Sequence, residues 1–221
     1  MLEKKTVVKR IFDSIAFRYD LLNHLLSFGL DFYWRKKALN RKTSSGVFYF
    51  ADTTGFSEIV PDSLVDFLSP PSDSRALLFS KKSEWISGRT IQMVAENIPI
   101  KNESVSNIIV AFGVRNFYDI EKGFNSFYRI LKHSGQVTIL EFRMPENIFL
   151  KRIYKFYFKK ILPFIGGLIS GDKEAYKYLP SSVEEFDLKI DLPEMLKMAG
   201  FRKIISKSLT FGIVQVIIST K

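Results

Sequence analysis

Apolar residues recur at helical spacing early in the chain, where Val7, Val8, Ile11, Phe12, Ile15 and Ala16 lead into Leu21, Leu22, Leu25 and Leu26 before Gly29. This period predicts one or two N-terminal helices. Val47 to Ala51 is a short apolar run ending at Thr53-Thr54-Gly55, the pattern of a buried strand feeding a turn. A helix over 57–68, interrupted by Pro61, a Ser/Pro/Asp loop over 69–74 and a second strand from Ala76 to Phe79 follow. Ser106 to Val114 holds the run Ile108-Ile109-Val110-Ala111-Phe112, which reads as a strand buried on both faces. Asp119 is placed to cap the next helix, whose core face is Ile120, Phe124, Phe127 and Leu131, with Ser134-Gly135 as its stop. Gln136 to Phe142 is another strand, so strand, helix and strand alternate as in a parallel α/β sheet. Asp191 to Gly200 predicts a short helix with Pro193 in its first turn. Lys203–Thr210 and Gly212–Thr220 then predict a terminal antiparallel pair around Phe211-Gly212.

Residues 144–186 break the alternation. Between Asn147 and Gly171 there are Lys151, Arg152, Lys155, Lys159 and Lys160 but no acid, interleaved with Phe149, Tyr154, Phe156, Tyr157, Phe158, Leu162 and Phe164. An inserted basic, aromatic helix is predicted, followed by a Pro- and Gly-broken loop. Three readings fit it: a solvated basic helix with a buried aromatic face, a lid facing a membrane, and a nucleic-acid surface. The last is the weakest, because Phe at helical spacing signals burial more than base stacking.

Composition narrows the chemistry. The 221 residues suit one domain with a sizeable core. With no Cys there is no disulfide, thiolate zinc site, iron–sulfur cluster or cysteine nucleophile, and with only His24 and His133 there is no multi-histidine metal centre. No metal is expected. His24 is expected to be structural and His133 exposed in a turn. Lys and Arg number 33 against 23 Asp and Glu, a net charge of +10 that favours an anionic partner. The charged opening Met-Leu-Glu-Lys-Lys is unlike a secretion signal, and no stretch is apolar enough to span a bilayer, so the expected location is cytoplasmic, with peripheral attachment to the inner face of a membrane allowed.

In an open α/β sheet ligands bind beyond the C-terminal ends of the strands. The most distinctive such segment is Phe112-Gly113-Val114-Arg115-Asn116, where a strand delivers an Arg and an Asn into the crevice. A surface ion pair and a helix cap are the plain alternatives for these two side chains. Glu141, at the end of the next strand, is placed to pair with Arg115 or Arg143.

At this point a resemblance becomes specific. Phe12-Asp13-Ser14-Ile15-Ala16, Arg18-Tyr19-Asp20-Leu21-Leu22-Asn23, Ser27-Phe28-Gly29-Leu30 and Trp34-Arg35 occur in order, followed by Phe112 to Asn116 and Tyr128-Arg129-Ile130-Leu131-Lys132. Leu140-Glu141-Phe142, Leu162-Pro163, Tyr176 to Leu179 and Ala199-Gly200-Phe201 continue the series. Together they resemble the ubiquinone/menaquinone biosynthesis C-methyltransferases of the UbiE/MenG type. The resemblance implies a class I methyltransferase, a Rossmann-like α/β fold with a seven-stranded sheet and an antiparallel last strand. It also implies a single domain: a helical cap over 1–45, a core over 46–143 and 187–221, and an inserted lid or quinone entrance over 144–186.

The resemblance further implies S-adenosylmethionine-dependent C-methylation of a polyprenyl quinol. Arg115, Asn116 and Tyr19 would act at the quinol head, and Thr54, Gly55, Ser80, Ala95 and Ala111 would lie against the cofactor. Arg115, which stays protonated, would stabilise a phenolate or position a water, while Tyr19 and Asn116 orient the ring oxygens. The cofactor half departs from the family pattern. Tyr49 stands where an Asp is expected, Asp52 and Thr53 replace small residues, Ser80 replaces the acid that would bind the ribose, and Val94 replaces a polar residue beside the adenine. Each lost hydrogen bond to a buried ligand group costs about 1–3 kcal/mol, so normal cofactor binding is in question. The alternative is a non-catalytic relative that binds quinone or lipid or serves as a partner subunit. A membrane surface, and not nucleic acid, is the expected macromolecular partner, with a homodimer left open.

Overall fold

The computed structural model describes residues 27, 29–39, 47–51, 57–60, 78–79, 89–91, 93–165 and 173–221. The predicted helices over 6–26, the 69–74 loop and Tyr19, His24, Thr54, Gly55 and Ser80 lie outside them. The described elements are α1 (Leu30–Leu39), β1 (Val47–Ala51), β2 (Ser57–Val60), β3 (Leu78–Phe79), β4 (Arg89–Ile91), β5 (Val105–Ala111), α2 (Ile120–Ile130), β6 (Leu131–Phe142), α3 (Ile148–Phe156), α4 (Lys173–Lys189), α5 (Leu192–Met198), β7 (Arg202–Leu209) and β8 (Val214–Thr220).

One sheet has the strand order β1-β5-β6-β8-β7. β1 pairs with β5 in parallel, Val47 opposite Asn107 through Ala51 opposite Ala111, and β5 pairs with β6 in parallel. β8 runs the other way: Arg143 N–H donates to Ile213 O at 2.8 Å and Lys221 N–H to Gly135 O at 2.9 Å, so the later end of β6 meets the earlier end of β8. Only a few residues join β7 to β8, too few for a parallel crossover, so this pair is antiparallel as well. The expected antiparallel last strand is therefore present. Among the described residues this sheet has five strands where seven were expected, and β2, β4 and β3 form a separate antiparallel sheet.

Ser57–Val60, expected to open a helix, is a strand. Ile59 and Val60 are β-branched and stop at Pro61, a local preference that outweighs the looser apolar spacing carried past the proline. The stop expected at Ser134-Gly135 falls inside β6. The helix ends at Ile130, and β6 bulges between the pairs Val105–Leu131 and Asn107–Gln136, with Ser134 at φ +60°.

The chain divides into two compact units, one of residues 1–40, 142–190 and 207–215, the other of 41–141, 191–206 and 216–221. The core of the second unit is continuous apolar strand. Ile108, Ile109 and Val110 are all buried, as are Val137 to Glu141, which only a strand covered on both faces requires. α2 packs Phe124, Phe127 and Ile130 into that core, each fully buried. Its entry is set by Asp119, whose carboxylate accepts from Lys122 N–H at 3.0 Å. Asp191 caps α5 in the same way, accepting from Glu194 N–H, with Pro193 in the first turn.

The resemblance motifs are largely packing partners. The Tyr128 ring meets Phe201 edge-on at 5.3 Å, and a Cβ on Gly200 would lie 3.2 Å from the same ring. Arg129 donates to Ile98 O, Ile100 O and Asn102 Oδ1, so one guanidinium fixes the whole 98–102 loop. In the first unit Trp34, buried, donates from Nε1 to Thr210 Oγ1 at 2.7 Å and meets Phe142 edge-on. α3 runs on through a π-helical turn at Tyr157–Ile161, and Tyr154 stacks on Phe158 with ring centroids 4.1 Å apart. Lys155 and Lys159 both reach Glu184 of α4, and their hydrogen bonds hold its carboxyl below the ordinary range.

Gly123, on the buried side of α2, gives a direct test of this packing. A Cβ there would sit 2.8 Å from Phe117 Cδ2 and 3.4 Å from the Ala95 methyl. Gly→Ala in a helix gains about 1 kcal/mol of propensity, whereas overpacking costs about 1–3 kcal/mol. Phe117 is itself held edge-on against Phe127 and has little room to move. The expected result for Gly123→Ala is a net loss of stability in urea denaturation, the reverse of the exposed-helix rule.

Candidate active site

β1 and β5 end side by side at Ala51 and Ala111. Val110 is buried, whereas Ala111 is partly exposed, so the strand end opens where its side chain is a single methyl group. Phe112 then takes φ +59°, a left-handed conformation uncommon for a bulky side chain, and its N–H donates to Leu140 O at 2.6 Å. The chain turns sharply off the sheet into one 3-10 turn over Val114–Asn116. Backbone strain of this kind persists only where the surroundings over-determine it.

Arg115 and Glu141 supply that constraint. Glu141 ends a central strand and is fully buried; Arg115 is 6% exposed. Arg115 Nη1 meets Glu141 Oε1 at 2.8 Å, the Arg115 backbone N–H donates to Oε2 at 3.3 Å, and Nη1 also donates to Phe112 O. One carboxylate therefore grips both ends of the arginine, and the arginine grips the carbonyl of the strained residue. The pairing with Glu141, one of two expected from sequence, is the one found. Arg143 instead faces Glu146 at 3.0 Å and Asp187 at 3.5 Å. Asn116, partly exposed, is presented at the end of this clamped turn, its N–H donating to Gly113 O.

Glu96 is the residue that sequence reasoning missed. Its carboxylate accepts from the backbone N–H groups of Tyr118 at 2.6 Å and Asp119 at 2.9 Å, while Ser126 Oγ donates to Glu96 O. It thus closes the other side of the 112–119 loop. Burial pushes the Tyr118 hydroxyl above its ordinary pKa, with the Glu96 charge adding to the effect. The sequence offers only a general signal, that N–H groups at a helix start need acceptors, and nothing in it assigns Glu96 to them. Ala95 is buried, its methyl directed toward Gly123, and Val94 is bridged to Asn97. His133 is exposed as expected and lies 3.4 Å from Glu103.

Comparison with known proteins decides the family. The profile of the ubiE/COQ5 methyltransferase family matches residues 1–60 and 80–221. The chain belongs to that family. It is 37% identical over 98% of its length to a ubiquinone/menaquinone biosynthesis C-methyltransferase of Geotalea daltonii, covering 97% of that protein. It is also 37% identical over 92% of its length to a demethylmenaquinone methyltransferase of Thermus thermophilus, covering 96% of it. A demethylmenaquinone methyltransferase of Chlorobaculum tepidum is 34% identical over 95% of this chain and 90% of its own. More distantly, a solved S-adenosylmethionine-dependent methyltransferase of Thermotoga maritima covers 57% of this chain and 61% of its own at 20% identity, with a TM-score of 0.37.

As a member of this methyltransferase family the chain is an S-adenosylmethionine-dependent enzyme. At Ala111, partly exposed at the end of β5, the side chain is no larger than a methyl, which is compatible with a ligand approaching the backbone there. Of the expected cofactor positions Ala111 and Ala95 are described, and Thr54, Gly55 and Ser80 are not. Among the described residues no group of three or more His, Asp or Glu is arranged to hold a metal ion, and no helix is long and apolar enough to cross a membrane.

Proposed function

We propose that this enzyme C-methylates a ring carbon of a polyprenyl quinol, a demethylmenaquinol or the equivalent benzoquinol, working peripherally at the inner face of the membrane. The observation that supports the reading is the clamped turn just beyond β5, which ends on the partly exposed Asn116 five residues after Ala111. S-adenosylmethionine, when bound, supplies a methyl group activated by a sulfonium. Asn116, with Tyr19 from the N-terminal motif, orients the ring oxygens. Arg115 is too basic to take a proton; held by Glu141, it fixes the turn and favours the phenolate form of the ring.

The test is expression in a host lacking its own quinone C-methyltransferase, with methylated and unmethylated quinones quantified. The wild-type chain is expected to restore the methylated quinone. Asn116→Ala, losing one hydrogen bond worth about 1–3 kcal/mol in the transition state, is expected to slow turnover by about 5- to 150-fold. Stable wild-type protein with no methylated product would overturn the proposal. Calorimetric titration with S-adenosylmethionine separates the two failures: binding without turnover removes the substrate assignment, while no binding favours a non-catalytic relative.

A further inference from the structure

The first unit exposes an apolar ridge that its own core does not use. On α3, Phe149, Ile153 and Phe156 recur at four- and three-residue spacing and so share one face. They are 71%, 51% and 62% exposed, and Ile148 beside them is 80% exposed. The opposite face carries the buried Tyr154, so the helix is anchored by one aromatic side while it shows another to solvent. A helix packed only for stability would turn these rings inward.

A second element of the same unit repeats the feature. Between β7 and β8 the chain passes through Thr210, Phe211 and Gly212 at φ +47°, +57° and +88°. Phe211 at this tip is 79% exposed. The tip is fixed from both sides: Trp34 donates to Thr210 Oγ1, and a Cβ on Gly212 would lie 3.7 Å from Pro145 Cα. Pro145 opens the segment that leads into α3, so Phe211 stands next to the start of the ridge.

Charge identifies what covers this surface. Arg152 and Lys160 are exposed along α3 and its continuation, Lys151 is partly exposed, and residues 147–171 contain no acid. Lys155 and Lys159 are paired with Glu184, and the exposed Glu146, just before this segment, is paired with Arg143. Aromatic and aliphatic side chains flanked by cations suit a surface with an anionic headgroup layer over hydrocarbon.

We infer that Ile148, Phe149, Ile153 and Phe156 of α3, together with Phe211 at the β7–β8 tip, form a docking face that inserts shallowly into an anionic lipid bilayer. The inference deepens the proposed function, resting on it only for the reason that the enzyme would work there. An amphipathic helix of this kind sits about 5–10 Å into the headgroup boundary, lying along the surface. The rigid tip beside it supplies a second insertion point, which fixes the orientation of the unit on the membrane.

The experiment is sedimentation of the full-length protein with phosphatidylglycerol-containing vesicles and with pure phosphatidylcholine vesicles, without cofactor or quinol. Binding to the anionic vesicles is expected, weaker on neutral vesicles and weaker at high salt. The double variant Phe149→Ser, Phe156→Ser and the single variant Phe211→Ser are each expected to reduce partitioning at least about tenfold. Because these side chains are exposed, circular dichroism and melting temperature should be unchanged. No binding to anionic vesicles, or binding that survives both substitutions, overturns the inference. So does a dimer that dissociates in the variants while vesicle binding is unaltered, which would make this face a contact between two copies. Vesicle binding needs no methyl transfer, so its failure is distinguishable from failure of the proposed reaction.

Discussion

Replacing Glu141 with Ala is expected to destabilise the protein by about 3–5 kcal/mol, the range for removing one partner of a buried ion pair. Both side chains are almost wholly out of water, Arg115 at 4% and Glu141 at 0%, so the arginine left behind is charged, buried and without its carboxylate. Urea denaturation measures the loss. The double variant Glu141→Ala, Arg115→Met is expected to recover most of it, because removing both charges removes the desolvation penalty together with the attraction. Activity should not return with stability. The double variant no longer donates to Phe112 O or grips the Arg115 N–H from β6, so the turn carrying Asn116 loses its constraint. A stable but slow double variant is the result expected of a pair that holds the turn and supports the phenolate. Full activity in that variant would sink the assignment.

Phe127→Ala is expected to cost a similar amount, about 3–5 kcal/mol, for a different reason. Phe127 is fully buried and packs against Phe117 at 5.8 Å and Phe124 at 6.2 Å, so truncation leaves a cavity lined by two rings on rigid elements. Thermal unfolding gives the loss directly. Phe117 follows Asn116 immediately, so the cavity loosens the candidate turn from below. Turnover measured well below the melting temperature should fall while cofactor affinity changes little. Unchanged turnover would show that the turn is held by Glu141 and Glu96 without help from α2.

The central strands were legible because burial on both faces leaves long apolar runs, as at Ile108 to Val110 and Val137 to Leu140. The helix 120–130 and its Asp119 cap were legible because period and capping chemistry are local. What was not legible depends on partners far along the chain. Glu96 looks like any surface acid until the fold brings the N–H groups of Tyr118 and Asp119 to it. The bulge in β6 hides behind Ser134-Gly135, residues that equally suit a helix stop. Ser57–Val60 imitates the start of a helix because apolar spacing on both sides of Pro61 matches one amphipathic face. At the site, the order of motif residues identified the family, and the geometry then showed that several of them, Trp34, Arg129 and Gly200 among them, serve packing.

The place of β8 between β6 and β7 also constrains how the chain is assembled during synthesis. Among the described residues β7 pairs in the sheet with β8 alone, and Lys221 closes the ladder onto Gly135 while its Nζ reaches Leu131 O and Glu103. Until the segment 214–221 leaves the ribosome, β6 keeps an open edge and β7 has nothing to join. Such non-local pairing is slow to form and leaves unpaired edges exposed in the meantime. The nascent enzyme is therefore most vulnerable to aggregation between the synthesis of β7 and the emergence of residues 214–220, while the edge of β6 that β8 will cover is still open.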